Sequence, residues 1–83
     1  MTITLSNMTA IKTTYHGPGN VRGSRIIADA GIKRRVTVSY DHRLNSDDNH
    51  VAAAQALCDK MEWNGDLRGG GHERGQYFVF VGK

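Results

Sequence analysis

Apolar and polar side chains alternate along four segments of the chain, and this period of two residues is typical of β-strands. The clearest case is the third segment, where Val36, Val38 and Tyr40 fall on one face and Thr37 falls on the other. Short links between the first three segments predict that they form an antiparallel meander. The four predicted strands comprise residues 10–16, 24–30, 32–40 and 76–81.

A longer period, of three to four residues, runs through residues 46–63 and predicts a helix. Ser46 is its predicted N-cap, and acidic residues in the first turn favour this start because they complement the helix dipole. Trp63 is predicted to close the helix, and an Asn-Gly pair follows it as a turn signal. The predicted buried stripe consists of Val51, Ala54, Leu57, Cys58 and Met61.

Between the helix and the last strand, the chain is rich in glycine and polar residues. Residues 66–68 allow one additional short strand, and residues 69–75 are predicted to form a flexible connection. The last strand is apolar on both faces. It is therefore predicted to be either a central strand or an edge strand that lies against a partner.

These elements predict an α+β fold, in which one helix packs on one face of a small antiparallel sheet in the order β-β-β-α-β. Residues 10–83 are predicted to form a single domain, and residues 1–9 a flexible N-terminal segment. The sheet face away from the helix would then be polar, basic and open to a partner.

Composition favours a binding module over an enzyme. A chain of 83 residues builds a thin core with little room for a deep substrate cavity. It contains no G-x-S-x-G sequence, and its glycine triplet is not followed by the Lys-Ser/Thr pair of a phosphate-binding loop. The net charge of +3 allows contact with nucleic acid or with an acidic protein surface. The sequence therefore predicts a protein without enzymatic activity.

The cysteine and the histidines predict structural roles. Cys58 is the only cysteine, which excludes an internal disulfide and favours a buried, unreactive thiol. The histidines are irregularly spaced, so no metal site and no cofactor are predicted. Asp41, His42 and His50 could converge, but the favoured interpretation is that Asp41 and His42 form hydrogen bonds that hold the loop before the helix. No signal peptide or membrane span is evident, which predicts a soluble, cytoplasmic protein.

A basic surface is the strongest candidate for a binding site. The arginine fork bonds phosphate and carboxylate groups in bidentate fashion, so a cluster of arginines favours an anionic partner. The alternative is a solvated strand face with ordinary ion pairs to Asp29, Asp41 and Asp66. The candidate partner-binding residues are Arg22, Arg25, Lys33, Arg34 and Arg35.

One further pattern extends over residues 10–82. It consists of Gly17, Pro18, Asn20, Arg22, Gly23, Ser24, Arg25, Tyr40, Asp41, His42, Asn49, His50, Ala52, Ala53, Ala54, Ala56, Leu57, Trp63 and residues 77–81. This pattern resembles a family of short proteins encoded in phages, prophages and mobile elements of Gram-negative bacteria. Some short proteins of that kind act as anti-CRISPR proteins against type I systems.

The resemblance implies a non-enzymatic inhibitor of a bacterial defence system. Its partner would be a Cas subunit or a CRISPR–Cas effector complex, whose recognition or cleavage of DNA it would block in the host cytoplasm. The alternative is a small basic accessory protein that binds nucleic acid. Either a monomer or a homodimer is compatible with the sequence, and no membrane partner is expected.

Overall fold

A computed structural model describes residues 10–18 and 23–81. The elements are β1 (Ile11–His16), β2 (Arg25–Asp29), β3 (Arg35–Ser39), α1 (Ser46–Met61), β4 (Leu67–His72) and β5 (Gly75–Phe80). The five strands form one sheet in the order β3-β2-β1-β5-β4, and all neighbouring strands are antiparallel. The predicted α+β class is confirmed. The segment 1–9, predicted to be flexible, lies outside the described residues.

The helix carries the chain from one edge of the sheet to the other. The first three strands form the predicted meander and end with β3 at one edge. Helix α1 then crosses one face of the sheet, packing against β1, β2, β3 and β5. The chain re-enters the sheet at the opposite edge as β4, and β5 fills the space between β4 and β1. The last strand is therefore internal, which confirms the first of the two predicted alternatives, a central strand rather than an edge strand.

The core lies between α1 and alternate residues of the strands. Ile11 stands opposite Phe78 in the register of β1 and β5, and Ile26 stands opposite Val38 in that of β2 and β3. Ile11, Ile26 and Leu57 are fully buried. The burial of each such side chain stabilises the folded state by roughly 1.5–3 kcal/mol. The remaining buried apolar residues are Ala28, Ala53, Ala54, Cys58, Phe78 and Phe80.

The start of the helix differs from the prediction. The N-cap is Asn45, whose side-chain oxygen accepts a hydrogen bond of 2.7 Å from the backbone N–H of Asp48. Ser46 is the first helical residue. An amide oxygen satisfies a free N–H of the first turn as well as a hydroxyl does, and Asn45 has the extended backbone that an N-cap requires.

The buried stripe of the helix contains Ala54, Leu57 and Cys58 as predicted but differs at its two ends. Val51 is 52% exposed, although it was predicted to be buried, and Met61 is half-buried. Asn49 and His50 are buried instead because each has hydrogen-bond partners inside the fold. Neighbouring helical positions are about 100° apart, so burying residues 49 and 50 turns residue 51 toward solvent.

The helix also ends earlier than predicted. Its last residue is Met61, and Glu62 adopts a left-handed backbone conformation with φ of 59°. The N–H of Trp63 then donates to the carbonyl of Cys58 at 2.9 Å, which closes the last turn. The Trp63 ring lies beyond the helix and meets Phe80 edge-on, with ring centroids 6.1 Å apart.

Strand β3 begins at Arg35 because the residues before it form a tight turn. Gly31 and Lys33 both have positive φ, and the N–H of Arg34 donates to the carbonyl of Gly31 at 3.1 Å. The carboxylate of Asp29 accepts a hydrogen bond of 2.8 Å from the N–H of Gly31. Ile32, predicted to begin the strand, is 91% exposed at this turn.

The glycine-rich connection predicted for residues 69–75 is wrong, because most of it forms a strand. Strand β4 pairs with β5 over its whole length, and Glu73 and Arg74 alone form the turn between them. Gly69 stands opposite Phe78, and a Cβ at Gly69 would lie 2.9 Å from the Phe78 ring. The glycine therefore makes room for an aromatic ring of the core, which sequence periodicity alone does not reveal.

We expect Gly75→Ala to destabilise the fold strongly. A Cβ at this position would overlap the carbonyl oxygen of Thr13 and lie 2.8 Å from the ring of His50, so β1 and β5 would have to separate. The free energy of unfolding should fall by roughly 2 kcal/mol or more. Urea denaturation measures this change.

The matched control is Gly70→Ala, because a Cβ there meets nothing within 4 Å. The control should leave the free energy of unfolding within about 0.5 kcal/mol of the parent, as surface substitutions usually do. Equal stability of the two variants would contradict the close packing of β1 against β5.

Candidate functional site

The sheet has a second face, which points away from α1. Strand alternation and register place on it the residues that stand between the buried ones. In the described part of the chain, no helix packs on this side, and most of its side chains are exposed. We call this surface the open face. It comprises Lys12, Thr14, His16, Arg25, Ile27, Asp29, Arg35, Thr37, Ser39, Arg68, Gly70, His72, Tyr77 and Val79.

Charge is divided between the two layers of the fold. The Lys, Arg, Asp and Glu residues within the strands all lie on the open face, where Asp29 is the one acid. Helix α1 has the opposite balance, with three aspartates against Lys60. The modest net charge of +3 is therefore the sum of a basic face and an acidic face. The cations of the open face are Lys12, Arg25, Arg35 and Arg68.

None of these cations forms an ion pair among the described residues, although Asp29 stands opposite both Lys12 and Arg35 in the strand register. Within residues 10–18 and 23–81, the one ion pair joins Arg43 and Asp41 at 3.0 Å, and it lies in the loop between β3 and α1. Hydrogen bonds from Arg43 hold the pKa of the Asp41 carboxyl below its usual value. Asp29 instead accepts from a backbone N–H of the β2–β3 turn. Of the ion pairs to Asp29, Asp41 and Asp66 that the alternative expected, the described residues contain one, between Asp41 and the loop residue Arg43, and none that involves a strand arginine.

The predicted partner-binding residues do not form one cluster. Arg25 and Arg35 share the open face but lie at opposite ends of the β2–β3 pair, Arg25 opposite Ser39 and Arg35 opposite Asp29. Lys33 and Arg34 are exposed in the turn next to Arg35. Arg22 lies outside the described residues.

The strand pairing adds to this face two cations and an aromatic ring that are not among the candidate partner-binding residues. Lys12 on β1 and Tyr77 on β5 are direct neighbours in the register, and Arg68 on β4 pairs with Val79 on β5. The polar position of Lys12 was visible in the alternation of the first strand. The neighbours of Lys12 in the sheet were not visible, because the paired strands β1 and β5 are separated by more than fifty residues along the chain.

Tyr77 is the main aromatic surface of the open face. Its side chain is 45% exposed. The ammonium of Lys12 lies 5.8 Å from the centre of its ring, within the range of a cation–π interaction. The ring of His72 packs beside it, with centroids 4.8 Å apart. Gly70, the β4 neighbour of Tyr77, has no side chain to cover the ring.

A shallow polar depression lies at one end of the β2–β3 pair. Gly23, Ser24, Arg25, Thr37 and Ser39 line it. The Nε of Arg25 is buried without a hydrogen-bond partner among the described residues, and its Nη1 donates only a long bond of 3.5 Å to Gly23. Terminal guanidinium N–H groups beside three hydroxyl side chains are suited to an anionic oxygen.

His50 of α1 and His72 of β4 are part of a polar network around the buried residue Thr13. Thr13 is fully buried, and its hydroxyl donates to the carbonyl of Gln76 at 3.2 Å. Its one hydroxyl proton is thereby used, so Nδ1 of His50, at 2.7 Å, must donate to Oγ1 of Thr13. His72 donates from Nε2 to the carbonyl of Thr13 at 2.9 Å, since its Nδ1 accepts from the N–H of Arg74. The two rings therefore donate from different nitrogens, Nδ1 in His50 and Nε2 in His72.

A separate set of hydrogen bonds holds Asp41 in the loop as predicted, whereas His42 packs against Tyr40, with ring centroids 5.2 Å apart. Asn49 donates to the carbonyl of Asp41 at 2.9 Å and accepts from its N–H at 2.7 Å, so the loop is held by a reciprocal pair of bonds. Asp41, His42 and His50 do not converge, because His50 is bonded to Thr13. No group of three or more metal-ligating side chains is present among the described residues.

Cys58 lies in the core, 4% exposed. Burial raises the pKa of its thiol, and the charge of Asp59 raises it further. The predicted buried cysteine is confirmed, and a thiol that ionises less readily is a poorer nucleophile near neutral pH.

Comparisons with known proteins give no match: no protein-family model, curated protein or solved structure corresponds to this chain. The resemblance to phage and mobile-element proteins therefore stays a prediction. Over the residues that the structure describes, no helix has the length and apolar character needed to cross a bilayer.

We expect the buried network to make stability depend on pH through His50. Burial lowers the pKa of its imidazole, the charge of His72 lowers it further, and Asp47 opposes these effects. As the pH falls below about 6.5, the unfolded chain binds a proton before the folded protein does. The stability is therefore complete above that pH and is lost as the pH falls toward and through the folded pKa.

His50→Asn provides the test, because its amide can replace the Nδ1 donor without titrating. Thermal melts at about pH 7.5 and pH 5.5 should show a smaller loss of melting temperature for this variant than for the parent. The control is His42→Asn at an exposed loop position, which should keep the loss seen in the parent. An equal loss in all three proteins would rule out His50 as the source.

Proposed function

We propose that this protein is a non-enzymatic binding protein that uses the open face of its sheet to bind an anionic partner. One observation carries the proposal: cations on four of the five strands lie on a single exposed face, without an ion pair among the described residues. Exposed, unpaired cations attract a partner of opposite charge and increase its rate of association. The acidic helix on the opposite side would orient the encounter.

The absence of catalysis is part of the proposal. Two of the titratable side chains that line a cleft, His50 and His72, are used in hydrogen bonds that hold the strands and helix together. The one cysteine is buried and its thiol pKa is raised. These side chains are therefore committed to the fold, which supports binding rather than chemistry as the activity.

The proposed target is a bacterial defence complex, with a CRISPR–Cas effector as the specific candidate. Support comes from the resemblance to short phage and mobile-element proteins and from the basic face. A basic inhibitor would bind an acidic protein patch of such a complex, or its guide RNA or DNA. The protein would act in the cytoplasm of the host cell, where it would prevent the complex from recognising or cleaving DNA.

We expect expression of the protein to restore phage plaques on a strain that carries a targeting type I CRISPR–Cas system. The double substitution Arg35→Gln and Arg68→Gln should reduce this protection at least about tenfold, because it removes two cations from the open face. Plaque counts on strains with and without the defence system measure the effect.

A matched control removes the same charge from elsewhere. Arg43→Gln combined with Arg74→Gln changes two loop cations outside the open face, and it should retain the protection of the parent. Failure of the parent to restore plaques, together with no recovery of a Cas subunit in a pull-down, would rule out this target. Equal loss in both doubles would rule out the open face as the binding surface.

A further inference from the structure

We propose that the open face binds single-stranded nucleic acid, with a base stacked on Tyr77 and a phosphate bound at Arg25. This inference rests on the part of the proposed function that assigns binding to the open face. It adds the chemical class of the partner. It requires no defence complex, so it can fail or succeed separately from the proposed target.

Cations and an aromatic ring on one sheet surface are the combination that single strands require. A charged groove follows the phosphates, while base–aromatic stacking contributes in a way that every base can use. Lys12 and Tyr77 are neighbours on β1 and β5, and Arg68 lies on the next strand, β4. An acidic protein would use the cations but has no comparable use for the exposed ring.

Tyr77 is placed to receive a base. Its ring is nearly half exposed, and Lys12 and His72 support it from within the same face. Its neighbour on β4 is a glycine, so one flank of the ring has no side chain in the way. A base that stacks here would also come close to the ammonium of Lys12, which would hold an adjacent phosphate.

Arg25 provides the second contact. Its Nε is buried, but Nη1 makes only a long bond of 3.5 Å to Gly23, and the hydroxyls of Thr37 and Ser39 line the same depression. A phosphate oxygen would accept from the terminal guanidinium N–H groups and from a hydroxyl.

The separation of the two contacts fits an extended chain. Arg25 stands opposite His16 on β1, while Tyr77 stands opposite Lys12 at the other end of the same strand. Strand spacing and rise put the two sites roughly 15–20 Å apart on the sheet surface. A single strand can cover this path and turn a base toward the ring. In a duplex the bases are stacked and paired, so Tyr77 would have no base to receive.

The test is fluorescence anisotropy with labelled oligothymidylate and oligouridylate of about 20 nucleotides, at about 50 and 200 mM salt. We expect binding that is tighter for the single strands than for a duplex of equal length. With four cations on the face, the slope of log K against log salt should be near about −3. Arg25→Gln should reduce the magnitude of this salt slope by about 0.7.

Variants at residue 77 separate stacking from charge. Tyr77→Val keeps a strand-forming side chain but removes the ring, and it should weaken binding roughly 5- to 100-fold with the salt slope unchanged. Tyr77→Phe should bind within about twofold of the parent, because the ring remains. Arg43→Gln, outside the open face, should change nothing. Circular dichroism and thermal melts show whether each variant is folded.

Three results would overturn the inference. The first is the absence of binding at the lower salt concentration. The second is equal affinity for single strand and duplex with no effect of Tyr77→Val, which indicates charge attraction alone. The third is equally tight binding of poly-L-glutamate, which indicates an acidic protein partner. NMR shifts of the unaltered protein with oligothymidylate give an independent check, since they should fall on the open face rather than on α1.

Plaque assays and oligonucleotide binding distinguish this inference from the proposed target. Oligonucleotide binding without protection against the defence system would leave the inference standing and remove the target. Protection by a parent that binds no oligonucleotide would do the reverse.

Discussion

The fold depends on the polar junction around Thr13, where three elements meet one buried residue of β1. Its hydroxyl accepts a hydrogen bond from His50 of α1 and donates one to the carbonyl of Gln76 in β5. Its backbone carbonyl accepts a hydrogen bond from His72 of β4. Buried polar groups are costly unless they are paired, so this arrangement strongly disfavours any other register of β1, β5 and the helix. Gly75 is the steric counterpart, because a side chain there would separate the same strands.

The junction also determines which side of the molecule is available for binding. By burying Asn49 and His50, it fixes the rotation of α1, and the small residues of the helix then pack on one face of the sheet. The opposite face is left without a helix among the described residues. The acids of α1 and the cations of the strands are thereby separated into two layers. A charge balance that looks ordinary in the sequence becomes a polarised surface.

The binding surface is assembled from strands that are distant along the chain. Lys12 and Tyr77 are adjacent in the sheet because β5 inserts between β1 and β4. Arg25 belongs to the same face through the β1–β2 pair. The sheet order is therefore as important to the proposed function as the arginines themselves. A different placement of the last strand would remove the aromatic ring from the cations of β1.

The sequence by itself determined the type and approximate position of most elements. Alternation in β1, β2, β3 and β5 and the helical period of α1 are local properties, so they predicted an α+β fold with the helix on one face. The tertiary structure decided what local patterns cannot encode. Gly69 lies in a strand, where the absence of a side chain leaves room for the Phe78 ring. Val51 is exposed because buried hydrogen bonds hold Asn49 and His50 inward. Tyr77 meets Lys12 because β5 is an internal strand. Each outcome depends on a contact between residues far apart in the chain, which no short-range period reports.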